Sequence, residues 1–142
     1  MATRSSLFVD TSGWAYLLDH SSDLHHDAQT AYQQALERNR LLVTTNYVIA
    51  ELVALLSSRS RISRQHIIAF VDALKAAPHI EIIHIDTNID ASAWALLKAY
   101  ADKSWSLVDA SSFVIMTAYG MTEAITTDHH FTQAGFIRLP AQ

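Results

Sequence analysis

No cysteine occurs anywhere in the 142 residues. Disulfides, thiol catalysis and zinc–thiolate sites are therefore excluded, and any metal must be held by oxygen or imidazole. Charge is sparse too: 17% of residues are charged against 50% hydrophobic, the balance of a folded globule and not of a disordered chain. Basic residues are the minority, ten against fourteen acidic, giving a net charge of −4. Indiscriminate nucleic-acid binding, which needs a basic surface, is disfavoured. A site that gathers carboxylates around divalent cations remains compatible, because the bound ions offset the count. No apolar run approaches the ~18 residues of a membrane span, and Met1 to Ser6 lacks the apolar segment of a secretory signal. The expectation is a cytoplasmic protein with no membrane association. Repeats and low-complexity linkers are also lacking, so residues 1–142 read as a single domain, too short for two sheet-based cores.

What is present is organised around Leu7 Phe8 Val9 Asp10 Thr11 Ser12 Gly13 Trp14. An apolar run that stops on a carboxylate and passes into hydroxyls and a glycine predicts a buried strand, a turn and a helix start. A short helix over Ser12 to Leu18 follows, then a longer one from Leu24 to about Arg38 with Ala28, Ala31, Tyr32 and Ala35 on one stripe. Leu41 to Thr44 forms a second strand. Thr45 or Asn46 caps a largely apolar helix that carries Glu51 near its start. Ser63 caps the next helix and Pro78 ends it. The branched run Ile80 to Ile85 predicts a third strand covered on both faces. Thr87 and Asp90 read as a capping box, and Ser106 opens a helix that Gly120 stops. Glu123 to Thr126 is a fourth strand, Thr127 Asp128 starts a helical turn closed by Gly135, and Phe136 to Leu139 is a last edge strand. Alternation of strands and helices predicts an α/β protein: a parallel sheet of four to five short strands in a three-layer α/β/α arrangement.

Four acids fall at equivalent places in this pattern: Asp10, Glu51, Asp109 and Asp128. With right-handed crossovers all lie near the carboxyl edge of one sheet, where ligands bind in open α/β folds. Each has a local alternative. Asp10 and Asp128 are possible N-caps, Asp109 the acidic half of a capping box with Ser106, and Glu51 a solvated charge favoured by the helix dipole. Together they are harder to explain locally, since two unit charges ~4 Å apart repel by roughly 4 kcal/mol at an effective dielectric near 20. Divalent Mg²⁺ or Mn²⁺, which prefers hard oxygen ligands, relieves that repulsion. Without metal, at least one acid is expected to keep a proton. A dication so held suits phosphodiester hydrolysis, because it acidifies water and neutralises charge developing on phosphate. Thr11, Ser12, Ser106 and Ser112 offer hydroxyls that either orient a water or phosphate oxygen, or cap and brace the backbone.

The blocks Phe8 Val9 Asp10 Thr11 Ser12, Ala50 Glu51, Ser106 Leu107 Val108 Asp109 and Thr126 Thr127 Asp128 His129 His130 Phe131 resemble the four acidic motifs of PIN domains, most closely the VapC-like ribonuclease toxins. The resemblance runs from Leu7 to Leu139. It implies a PIN-like fold and an Mg²⁺- or Mn²⁺-dependent endoribonuclease of a type II toxin–antitoxin pair. Asp10, Asp109 and Asp128 would be catalytic metal-site carboxylates, with Glu51 facing them across the cleft. An RNA substrate, an antitoxin partner and a homodimer are implied as well. Ser112 stands where many relatives carry a further acid or a hydroxyl, which bears on whether one ion or two is bound.

Two other readings compete. Asp10 as the phosphoacceptor of a receiver-like domain leaves Glu51 and Asp128 idle. A PIN-like interaction module without catalysis has no reason to keep four carboxylates. The eight histidines include the adjacent pairs His25–His26 and His129–His130. Neighbours on a helix face different ways, which argues against chelation, so these are read as surface or packing residues. Arg59, Arg61 and Arg64 either steer RNA, meet an acidic partner segment, or are simply solvated. Trp14, Tyr47 and Trp105 either stack on bases or pack in the core.

Overall fold

Strand β1 (Ser6–Val9) lies at the middle of the molecule because nothing along it needs water: Leu7, Phe8 and Val9 are completely buried. The structure, a computed structural model, describes residues 5–59 and 61–140; of Arg59 only the backbone is described, so that part of the arginine cluster lies outside the described residues. The remaining elements are α1 (Thr11–Leu18), α2 (His25–Glu37), β2 (Leu41–Thr45), α3 (Asn46–Arg59), α4 (Arg64–Ala76), β3 (Ile80–Ile83), α5 (Thr87–Ala99), α6 (Leu107–Ala118), β4 (Glu123–Ile125), α7 (His129–Gln133) and β5 (Ile137–Leu139).

The five strands form one sheet in the order β3-β2-β1-β4-β5, and every pairing is parallel. The fold is the three-layer α/β/α arrangement expected, with a PIN-like topology. Strand order reverses between β1 and β4, and such a switch point opens a crevice at the carboxyl ends of the two strands. Asp10 follows β1 and Thr126 follows β4, so both sit at that crevice.

Side chains pin α1 to the sheet just beyond Asp10. Trp14, fully buried, donates its indole N–H to Thr44 Oγ1 at 3.1 Å, and the Thr44 hydroxyl donates to the Val9 carbonyl at 3.0 Å. Burial of each such large side chain contributes roughly 1.5–3 kcal/mol, so the first turn of α1 is held firmly. Gly13 shows how closely it is held: a Cβ there would stand 2.5 Å from the Ile125 carbonyl oxygen and 3.0 Å from Val9 Cγ1. Gly13→Ala is expected to destabilise the protein by ~1–3 kcal/mol, the usual range for overpacking, read as a lowered midpoint in urea. A neutral substitution would mean that α1 is not pressed onto β4.

The helix ends follow the sequence signals with one exchange. Ser63 accepts from the His66 amide and Ser106 from the Asp109 amide, as expected of caps. At α3 the choice between Thr45 and Asn46 resolves to Thr45, whose hydroxyl accepts from Val48 N, while Asn46 turns to the Ile85 amide. Helix α5 is capped not by Thr87 but by Asp86, one residue earlier; Asp90 is engaged by the Tyr47 hydroxyl at 2.7 Å instead of closing a box. Gly120 and Gly135 follow α6 and α7 with φ of +68° and +94°, backbone that glycine adopts without strain. Strand β3 departs from expectation. It stops at Ile83, lies at the sheet edge, and is half-buried with Glu81 exposed, since an edge strand has a neighbour on one side only.

Candidate active site

Asp10 is the residue on which the crevice closes. It is 4% exposed, and its Oδ1 is buried without a hydrogen-bond partner. Oδ2 accepts from the Thr126 hydroxyl at 3.1 Å. Burial pushes the Asp10 carboxyl up to about 7 from 3.8, and the nearby charges of Asp109 and Glu51 add to the rise. The expected proton of the metal-free cluster therefore belongs to Asp10.

Hydroxyls connect the strand ends to one another. The Thr127 amide donates to Ser12 Oγ at 3.0 Å, and Ser12 Oγ lies 3.1 Å from Thr126 Oγ1. Since the Thr126 hydroxyl donates to Asp10, Ser12 is the donor in that contact. Thr126 Oγ1 also accepts from the Asp128 amide at 3.0 Å. One threonine thus orients Asp10 and fixes the backbone that carries Asp128. Glu51 is held from the other side, its Oε1 accepting from the Thr11 hydroxyl at 2.6 Å.

Asp109 and Asp128 meet through a histidine. His130 Nδ1 lies 2.9 Å from Asp109 Oδ2 and 3.3 Å from Asp128 Oδ1. Asp109 Oδ2 also accepts from the Ser106 amide, completing the capping box, and Asp128 caps α7 by accepting from the His130 amide at 2.9 Å. Both residues do what their local alternatives describe and face the crevice as well. Asp10, Glu51, Asp109 and Asp128 are therefore brought to one place, linked by Thr11, Thr126 and His130.

The other residues singled out in the sequence divide. Ser112 is fully buried and donates to the Val108 carbonyl, and Ser106 is committed to its cap, so neither hydroxyl is available to a water or phosphate. Trp14 and Trp105 are core residues, 0% and 8% exposed, and Tyr47 is spent on Asp90. Arg61 and Arg64 are exposed. The argument that adjacent histidines diverge fails at His129–His130, whose ring centroids are 4.5 Å apart, because at the first turn of a five-residue helix the side chains are not splayed as in a helix interior. Thr126 and His130 are the linking residues that sequence reasoning missed. Their signal was the unbroken polar string Thr126 to His130 directly after an apolar strand. Thr126→Val, nearly isosteric, is expected to cost ~1–3 kcal/mol by leaving the buried Asp128 amide unsatisfied, measured by urea unfolding.

A switch-point crevice with four acids invites comparison with known proteins, and the PIN domain family model matches residues 7–137. The chain belongs to the PIN domain family. This PIN domain is 29% identical over 133 residues to the 23S rRNA-specific endonuclease VapC20 of Mycobacterium tuberculosis, covering 94% of this chain and 97% of the relative. The crystal structure of VapC20, described as a sarcin–ricin loop cleaving toxin, superposes with a TM-score of 0.82 at 28% identity, covering 93% of this chain and 97% of that one. FitAcB from Neisseria gonorrhoeae, at 14% identity, a TM-score of 0.66 and coverage of 93% and 95%, shares the PIN fold. PAE2754 from Pyrobaculum aerophilum, at 15% identity and a TM-score of 0.59, does so over 95% of this chain and 84% of its own. Among the described residues no helix is long and apolar enough to cross a membrane.

Proposed function

We propose that this PIN domain is a metal-dependent endoribonuclease, the cytoplasmic toxin of a type II toxin–antitoxin pair, acting as a homodimer and held in check by an antitoxin protein. Asp10, Glu51, Asp109 and Asp128 are assigned as its catalytic residues. The observation that carries this reading is Asp10 itself, a buried carboxylate with one unpartnered oxygen, in the field of Asp109 and Glu51. Such an oxygen is costly to bury unless a cation meets it. The donor set is hard carboxylate oxygen, which fits Mg²⁺ or Mn²⁺. Asp10, Asp109 and Asp128 would hold the ion, with Glu51 completing the site from α3. When bound, the ion supplies neutralisation of the phosphate charge and acidification of water.

The chain's own residues supply position. Thr126 holds Asp10 by Oδ2 and so leaves Oδ1 for the cleft. Thr11 fixes Glu51, and His130 keeps Asp109 and Asp128 in register. Near neutral pH the Asp10 carboxyl exchanges its proton readily, so an arriving dication can displace it. These neighbours of Asp10 favour hydrolysis over the phosphoacceptor alternative, which gives Glu51 and Asp128 no task.

The relationship to VapC20 makes a ribosomal RNA loop the first substrate to try. Incubated with a sarcin–ricin loop oligonucleotide, the protein should produce a single strand break in Mg²⁺ or Mn²⁺. EDTA should abolish the cut and added Mn²⁺ restore it. Cleavage that persists after exhaustive chelation would overturn the metal-dependent mechanism.

A further inference from the structure

We propose that Asp128, His129 and His130 form a mixed nitrogen–oxygen site for a borderline transition dication such as Zn²⁺, alongside the carboxylate cluster. Among the described residues, these three present one ligand atom each within 4.8 Å of one another. His130 Nδ1 is 3.3 Å and His129 Nδ1 3.9 Å from the same oxygen, Asp128 Oδ1. His129 is exposed, its side chain 68% accessible, so it can rotate to close the remaining distance. His130 is held instead: its Nε2 lies 3.2 Å from Ser104 Oγ. With Nε2–H donated to Ser104, the Nδ1 lone pair faces two carboxylate oxygens, those of Asp109 and Asp128. That is a repulsive arrangement unless a cation lies between them. An outer hydrogen bond that fixes the tautomer is also what orients metal-binding imidazoles in general.

The two sites differ in chemistry. Mg²⁺ favours carboxylate and water oxygens, whereas Zn²⁺, Co²⁺ and Ni²⁺ take imidazole readily. They share Asp128, so they compete. A Zn²⁺ ion on His130 Nδ1 removes the contact that ties α7 to Asp109 and commits Asp128 Oδ1 elsewhere. On the ribonuclease reading above, on which this consequence rests, zinc antagonises Mg²⁺-supported cleavage.

The test uses the full chain, freed of metal, with Co²⁺ alone as spectroscopic probe and Zn²⁺ as competitor. Wild-type protein should bind Co²⁺ with the intense visible bands of nitrogen ligation, and Zn²⁺ should bleach them. His129→Ala, at an exposed position, should weaken binding by ~10–100-fold, at least the effect of losing outer-shell support for a ligand. His25→Ala, which alters the other close imidazole pair, His20 and His25 with centroids 4.3 Å apart, should bind as wild type does. Absent bands in the wild type, unchanged affinity in His129→Ala, or a loss that follows His25→Ala would each overturn the site. Zinc sensitivity is read separately, as the ratio of cleavage with and without Zn²⁺ in each protein. Failure of any cleavage in Mg²⁺ or Mn²⁺ would count against the nuclease reading and leave the spectroscopic result standing.

Discussion

Asp10→Asn is expected to reduce RNA cleavage by ~10³-fold or more, the scale on which losing a charge-stabilising group at a reacting centre registers, while the protein stays folded. The substitution keeps the shape of the side chain, so Thr126 can still donate to the oxygen it holds. What disappears is the negative charge on the oxygen that has no other partner. Glu51→Gln isolates the same effect on the opposite wall, because the amide oxygen of glutamine can accept from Thr11 as the carboxylate does. The two losses should be far from additive when combined, as expected of groups that act on one ion. Single-turnover cleavage with excess enzyme measures both variants without product release intervening. Equal cleavage by Asp10→Asn and wild type in saturating Mn²⁺ would remove Asp10 from the mechanism.

Much of this site was legible in the chain, and the reasons differ by residue. Asp10 announced itself because a buried apolar strand ending on a carboxylate is a local pattern, read within five residues. Asp109 and Asp128 were also local, since both are helix caps as well as cleft residues, and caps leave a sequence signature. What periodicity cannot supply is adjacency in space. Strand β4 lies beside β1 across more than a hundred residues of chain, and only that pairing delivers Thr126 to Asp10. A threonine at a strand end otherwise reads as an ordinary β-former. The same limit explains β3: branched residues mark a strand, but whether one or two neighbours cover it depends on strand order. His130 was hidden for another reason. The rule that adjacent helical residues diverge holds in the interior of a helix, and α7 is five residues long, with both histidines in its first turn.

Metal-free protein should lose stability as pH rises from 4 to 8, and Asp10 gives the direction. Its folded pKa, about 7, is above the ordinary value of 3.8. Between those values the folded state binds more protons than the unfolded one, so stability falls with increasing pH. The Asp10 contribution is complete below pH 3.8, declines through the window, and is gone above about 7. At 1.36 kcal/mol per pH unit the full effect is ~4 kcal/mol. Asp10→Asn has no such titration. In EDTA, its unfolding free energy should therefore gain on wild type steadily from pH 4 to 7 and run parallel to it above. At pH 8 the variant should be the more stable by ~1–3 kcal/mol, once the new amide's lack of a partner is set against the relieved charge. Mn²⁺ at a hundredfold excess over its dissociation constant should return ~2.7 kcal/mol to the wild type and much less to the variant. The residue needed for cleavage would then be one that weakens the resting fold, which is the expected signature of a carboxylate buried to meet a cation. Urea titrations of both proteins at closely spaced pH decide it: curves that stay parallel from pH 4 to 8 would show that Asp10 ionises freely and is not the buried group described.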